Sequence, residues 1–224
     1  MFNDEEEHWR NCVHEAAHAV IASLGGAGVK EIGVVPVGSD EWEGDYCKYD
    51  SAPSHLRRLG YCRTSRINLE ICFSRWDEKE CFYRVSRRDF SRYMRESYSR
   101  RLRDEFRCQL RTKVCTLLAG PIAEEILDYP DEPGLLPYEP ANMESPNDDF
   151  NKAMRTAELL SGRGEGWRLM ELTEAKLREE AVWQSVLTLA ELLSEKGILY
   201  DEFPLPDALG PKWPPPRPRR KQAV

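Results

Sequence analysis

Residues 13–26 read VHEAAHAVIASLGG. Val13, Ala17, Val20 and Leu24, joined upstream by Trp9, recur at spacings of three and four, the period of one helical face. Asn3 or Asp4 can cap such a helix and Gly25, Gly26 and Gly28 end it, so the spacing predicts a helix over residues 5–24. Inside it, His14 and His18 stand one turn apart. Four residues advance about 400° around a helix, so both rings project from one face and can offer two nitrogens to one cation. Glu15 sits beside them, where it can reach a water on that cation without being a ligand. This is the HExxH arrangement of zinc hydrolases: imidazoles hold the metal, the metal lowers the pKa of a water, and the carboxylate takes the proton. The plainer alternative is a pair of histidines satisfying hydrogen bonds in a core. The chain holds only four histidines, and two at this spacing with glutamate second favour the metal.

A catalytic zinc needs a third protein ligand and an open fourth position. Leu24 stands where the last histidine of HExxHxxGxxH would be, and His8 and His55 are not at a spacing that supplies it. Carboxylates of the acidic stretch remain: Glu124, Glu125, Asp148 or Asp149.

The rest of the 224 residues describes an ordinary soluble protein, with 41% hydrophobic and 32% charged residues and a mean hydropathy of -0.63. The longest apolar run, 16–29, is broken by His18, Ser23 and three glycines and is too short to span a bilayer. The opening MFNDEEEH is acidic where a secretory signal would be basic, which makes a reducing cytoplasm the expected compartment. Seven cysteines without a CxxC argue against a disulfide framework or zinc ribbon and for free thiols. The net charge of -7 is uneven: 57–113 carries 17 basic against 8 acidic residues, while 124–149 has nine acids and no base.

Residues 29–37 (VKEIGVVPV) read as a strand, where Pro36 argues for a sheet edge. Residues 67–73 read as a second strand. Residues 87–127 read as one long or one broken helix whose second half, VCTLLAGPIAEEIL, is core. The span 129–147, with five prolines, reads as an extended loop. Ser145 and Pro146 resemble the cap and first position of a helix running to residue 161. A last helix is expected over 166–196, with Trp183, Val186, Leu187, Leu189, Ala190 and Leu193 as its apolar face. Beyond residue 203 the sequence is proline-rich and basic and reads as a disordered tail. The fold class is therefore α+β, mostly helical, with a small sheet, in one domain over 1–202 followed by the tail 203–224.

VHEAAHAVIASLGG, then VKEIGVVPVG, then LLAGPIAEEI, then NDDFNKAMRTAELL together resemble the peptidase domain of the FtsH-type ATP-dependent zinc metalloproteases. In that family HEAGHA precedes an edge strand, a helix ends in a GGRAAEE-like segment, and an SNDL-x-x-A-T helix supplies an aspartate ligand. The four landmarks occur here in the same order and cover most of residues 10–200. WQSVLTLAELLSEKGILYDEF resembles the family's last helix and the short element after it. The resemblance implies a HExxH zinc metallopeptidase with Zn2+ held by His14, His18 and Asp149 and with Glu15 as the catalytic base. Matching the alanine pattern places Asp149, Phe150, Ala153 and Ala157 on the family's D-L-x-x-A-x-x-x-A, with Asp148 the competitor if the match slips by one. Glu124 matches the first glutamate of AAEE and is implied to orient a histidine or its water. The family's edge strand binds substrate as an added strand, which here would be Ile32, Gly33, Val34 and Val35.

Four departures qualify the resemblance. No GxxxxGK[ST] occurs in the sequence, and GRGEGWR at 162–168 lacks the lysine and hydroxyl that phosphate binding requires, so the expected activity is ATP-independent cleavage of unfolded or flexible polypeptide. A segment around 41–100, rich in Arg, Tyr, Phe and Cys, is longer than the family pattern. Residues 84–107, which alternate guanidinium and aromatic groups, read as a solvated helix face; the alternative is a surface for nucleic acid or an acidic protein. The loop 129–147 is also enlarged and could cover the zinc. Ala17 stands at a family glycine, and Cys12 is either a packing residue or a soft competitor for the metal. The competing functions are a catalytically silent or regulatory binding protein on a peptidase scaffold, or a subunit docking on a separate AAA-type ATPase.

Overall fold

A computed structural model describes residues 5–37, 60–64, 74–77, 82–133, 149–161, 164–200, 204–207, 209 and 213–216. Among them are six helices and five strands: α1 (Glu5–Leu24), β1 (Val29–Val34), β2 (Gly60–Thr64), β3 (Ser74–Asp77), β4 (Phe82–Val85), α2 (Arg87–Ser97), α3 (Arg100–Asp128), α4 (Asp149–Ser161), α5 (Gly164–Leu177), α6 (Glu180–Lys196) and β5 (Ile198–Tyr200). The architecture is α+β and mostly helical, as expected, and no described helix is long and apolar enough to cross a membrane.

α1 is the centre of the core. It packs on α3, α6 and the sheet, and Val13, Val20 and Ile21 are fully buried, each contributing about 1.5–3 kcal/mol. The small Ala16, Ala17 and Ala19, also buried, let the neighbouring elements come close. α3 presents Val114, Leu118, Ile122 and Ala123 to the same core, α5 presents Leu169 and Leu177, and α6 adds Val186, Leu189 and Leu193. The glycines end α1 as the sequence predicts: Gly26 takes a φ of 71°, and Ala27 N–H closes back on the Ala22 carbonyl at 2.8 Å.

The sheet corrects one expectation. β1 is the middle strand, not an edge, in the order β2-β1-β5. Ile32, Gly33 and Val34 pair antiparallel with Cys62, Tyr61 and Gly60 on one side, and Ile32 and Gly33 pair with Leu199 and Ile198 on the other. The reason is the position of Pro36. It lies two residues past the end of the strand, so its missing N–H costs no ladder bond and says nothing about the edge. Val35, also past the strand end, gives its carbonyl to His8 Nδ1 at 2.9 Å.

The structure decides one open alternative and differs at two further places, each with a local cause. The helical run from 87 is broken at Tyr98, which is extended, and Ser99 caps α3 by accepting from Leu102 N–H, as Ser86 caps α2 through Asp89 N–H. The last helix is two helices. The chain turns at Arg178 and Glu179, where the Arg178 guanidinium donates to the carbonyls of Pro130 and Glu132 at 2.7 and 3.0 Å and thereby ties the end of α3 to the α5–α6 corner. The described parts of the tail are docked rather than disordered. Leu205 and Trp213 pack against the core, Ser23 Oγ donates to Pro206 O at 2.8 Å, Leu209 N–H to Leu24 O at 2.9 Å, and Arg111 and Arg168 to Pro214 O and Pro215 O. A proline-rich segment makes no hydrogen bonds of its own, so its carbonyls are free to accept from side chains across the surface it crosses. The strand expected at 67–73, Ser145, Pro146 and the loop from 134 onward lie outside the described residues.

Candidate metal centre

α1 brings His14 and His18 to one face, their ring centroids 4.6 Å apart and their planes crossed at 82°. α4 brings Asp149, its first residue, opposite them. Asp149 Oδ2 lies 3.2 Å from His18 Nε2 and 3.8 Å from His14 Nε2, and one ligand atom from each of the three residues falls within 4.8 Å of the others. Two ligand atoms bound tetrahedrally to one zinc stand about 3.3 Å apart; the Asp149–His18 distance matches this, and the Asp149–His14 distance is about half an ångström longer. Asp148 lies outside the described residues.

The tautomers are set from behind. His14 Nδ1 donates to Glu124 Oε1 on α3, and His18 Nδ1 donates to the Thr116 carbonyl at 2.5 Å. In its neutral form each ring carries its proton on the far side and turns its Nε2 lone pair to Asp149. His18 Nε2 is buried and makes no hydrogen bond; at 3.2 Å from the carboxylate it is close without being aligned for one. A buried acceptor facing another acceptor is costly unless a proton or a metal cation joins them. The donor set therefore fits a metal ion.

The charges agree. Burial works against a charged His14, but the Asp149 and Glu124 carboxylates outweigh it and raise its pKa well above the usual value, with Glu15 adding to the effect. Burial likewise pushes the Asp149 carboxyl up, yet the His14 and His18 rings and Lys152 bring it well below the usual range. Lys152 Nζ stands 3.3 Å from Oδ1, which leaves Oδ2 turned to the histidines. A metal must displace the proton from His14, whereas Asp149 is already ionised. Metal affinity is therefore predicted to fall about tenfold per pH unit below the folded pKa of His14, a decline that begins well above pH 6.5. Calorimetric titrations from about pH 5 to 8 check this, and a flat profile would contradict it.

Glu15 is 7% exposed and packs on β2. A Cβ at Gly60 would meet Glu15 Cγ at 2.6 Å and Oε1 at 2.7 Å. Gly120 on α3 plays the same part for His14, since a Cβ there would lie 2.3 Å from Nε2. Sequence reasoning did not single out Gly60, Thr116 or Gly120. Gly120 sits in plain view in LAGPIAEE, and a glycine inside an apolar helical run is a signal for close approach; nothing in the sequence marks a main-chain carbonyl such as that of Thr116.

Ile32, Gly33 and Val34 are paired within the sheet and Val35 gives its carbonyl to His8, so the four residues expected to hold substrate have main-chain groups committed elsewhere. Cys12 is no competitor. Its thiol faces His8 Nε2 at 3.6 Å, and burial pushes its pKa up to about 12, which keeps it protonated and a poor ligand. Glu124→Gln keeps the shape but weakens the acceptor behind His14, and should reduce metal affinity by about 10- to 100-fold by calorimetry; an unchanged affinity would show that the contact does not orient the ring.

No family model matches the sequence, and no curated protein matches it.

Proposed function

We propose that the protein is a zinc-dependent endopeptidase, related in its peptidase fold to the FtsH-type metalloproteases, that cleaves unfolded or flexible polypeptide. The observation that carries the reading is the buried, unbonded His18 Nε2 sharing one point with His14 Nε2 and Asp149 Oδ2. An uncommitted HExxH helix would not assemble a third acceptor from 131 positions downstream of His18.

His14, His18 and Asp149 would hold the ion. Zinc bound there supplies a Lewis acid for the scissile carbonyl and a water of lowered pKa. Glu15 takes the proton of the attacking water and returns it to the departing amine. Glu124 and the Thr116 carbonyl fix the rings, and Lys152 holds the far oxygen of Asp149, so three neighbours keep the ligand set preorganised.

Among the described residues, one sheet edge lies near this base. β2 pairs only with β1 among the described residues, and its first residue, Gly60, rests on Glu15. An extended substrate added to the outer side of β2 runs past the catalytic carboxylate, whereas the main chain of β1 is already paired on both sides. This binding mode needs unfolded or flexible chain, which is the substrate class proposed. The protein loaded with one zinc per chain is expected to cleave a reduced, alkylated polypeptide, to stop on chelation and to recover with zinc. A zinc-loaded protein that leaves every unfolded substrate intact would overturn the proposal.

A further inference from the structure

The arginines that the metal centre leaves unused gather around a cavity of about 290 Å³ between α2 and the first turns of α3. Arg95 from α2 and Arg100, Arg103 and Arg107 from α3 line it, with Met94 and a single carboxylate, Asp104. Asp104 already faces Arg107 at 3.5 Å. Arg95, Arg100 and Arg103 meet no carboxylate among the described residues, and Arg95 spends only its Nε, on the Ser91 carbonyl at 3.2 Å.

The same two helices show how they treat arginines elsewhere. Arg92 stands 2.8 Å from Asp89 and Arg101 3.6 Å from Glu105. These two arginines are paired within their helices, whereas Arg87 and Arg88, also off the cavity, meet no carboxylate among the described residues; Arg95, Arg100 and Arg103 are set apart by converging on one space. Four guanidiniums against one carboxylate leave an excess of three positive charges around the cavity, and like charges gathered this closely oppose folding. The first turn of α3 holds no acid, so its arginines also crowd the end of a helix where cations are disfavoured. An anion in the cavity removes both costs.

The chemistry of the lining selects the anion. Guanidinium forks match phosphate oxygens in pairs, and the volume is at the small end of ligand sites. The nearby aromatic rings are packed on one another: Tyr98 lies 4.5 Å from Phe106 and 5.6 Å from Tyr93, edge to face, and Tyr93 and Tyr98 share a hydroxyl hydrogen bond at 3.0 Å. Rings engaged in this way make a poor stacking platform for the bases of a single strand. We propose that this cavity binds a compact oligophosphate, free or as the phosphate arm of a nucleotide. The proposal is independent of the peptidase reading.

The test is calorimetric titration of the full chain, in about 0.1 M salt, with sodium tripolyphosphate and with a nucleoside triphosphate free of divalent cations. One saturable site is expected. The double substitution Arg100→Gln, Arg103→Gln should weaken it about tenfold or more, while Arg87→Gln, Arg88→Gln, on α2 but off the cavity, should change it less than about threefold. Arg95→Gln, from the opposite wall, should weaken it about threefold or more and guards against misfolding of the double variant. Equal affinity for the two ligands supports recognition of the oligophosphate alone, and tighter binding of the nucleotide supports a site that holds the phosphate arm with added contacts to the nucleoside. Absence of saturable binding, equal losses from both double variants, or stronger binding of a single-stranded oligonucleotide than of tripolyphosphate would overturn it.

Discussion

Glu15→Gln is expected to slow hydrolysis of an unfolded polypeptide by about 10²–10⁴-fold while the chain still takes up one metal ion. The two effects separate because Glu15 lies outside the ligand set. His14, His18 and Asp149 would define the ion's position, and the Glu15 side chain packs toward Gly60 on β2 instead. The amide is nearly the same size as the carboxylate and so keeps the packing on β2, but it cannot accept a proton. Parallel measurement of zinc content and of cleavage rate checks this. A variant that loses metal and activity together would place Glu15 among the ligands, and one that keeps full activity would remove it from the chemistry.

Gly120→Ala is the second large effect, and it acts without touching an ionisable group's own chemistry. A methyl at this position would come within 2.3 Å of His14 Nε2 and 2.5 Å of two ring carbons, well inside van der Waals contact. The ring, held between α1 and α3, must swing away or the helices must part. Either movement breaks the contact with Glu124 and takes Nε2 off the shared point. Metal affinity should fall by at least about 100-fold, with the far-ultraviolet helix signal retained. If the Gly120→Ala variant binds zinc as tightly as the parent, His14 does not occupy this position when metal is bound.

The helix carrying HEAAH was legible because its apolar period and its glycine stop agree, and most of it is buried. So was the helical character of α3, α4, α5 and α6, whose apolar residues recur at the same period. Asp149 was preferred over Asp148 through the resemblance, which matches the alanines of α4 to the family pattern; Ala153 and Ala157 are both buried, and Asp149 stands beside the two histidines. The sheet was less legible. Which strand lies at the edge depends on partners from residues 60–64 and 198–200, and strands of five and three residues with mixed composition carry little period-2 signal. Gly60 and Gly120 matter through what approaches them, a property of pairs of elements and not of any one segment. The breaks at Tyr98 and Arg178 come from a serine cap and from a guanidinium held by distant carbonyls, and only the first of these leaves a trace in the local sequence.

The central claim is that two imidazoles of α1 and the leading carboxylate of α4 meet on one ion. Crystals grown with zinc and measured on both sides of the zinc absorption edge test it directly. The account predicts a single anomalous peak per chain within bonding distance of His14 Nε2, His18 Nε2 and an Asp149 carboxylate oxygen. A zinc peak seated elsewhere, or none at this point with the three side chains ordered, would contradict it.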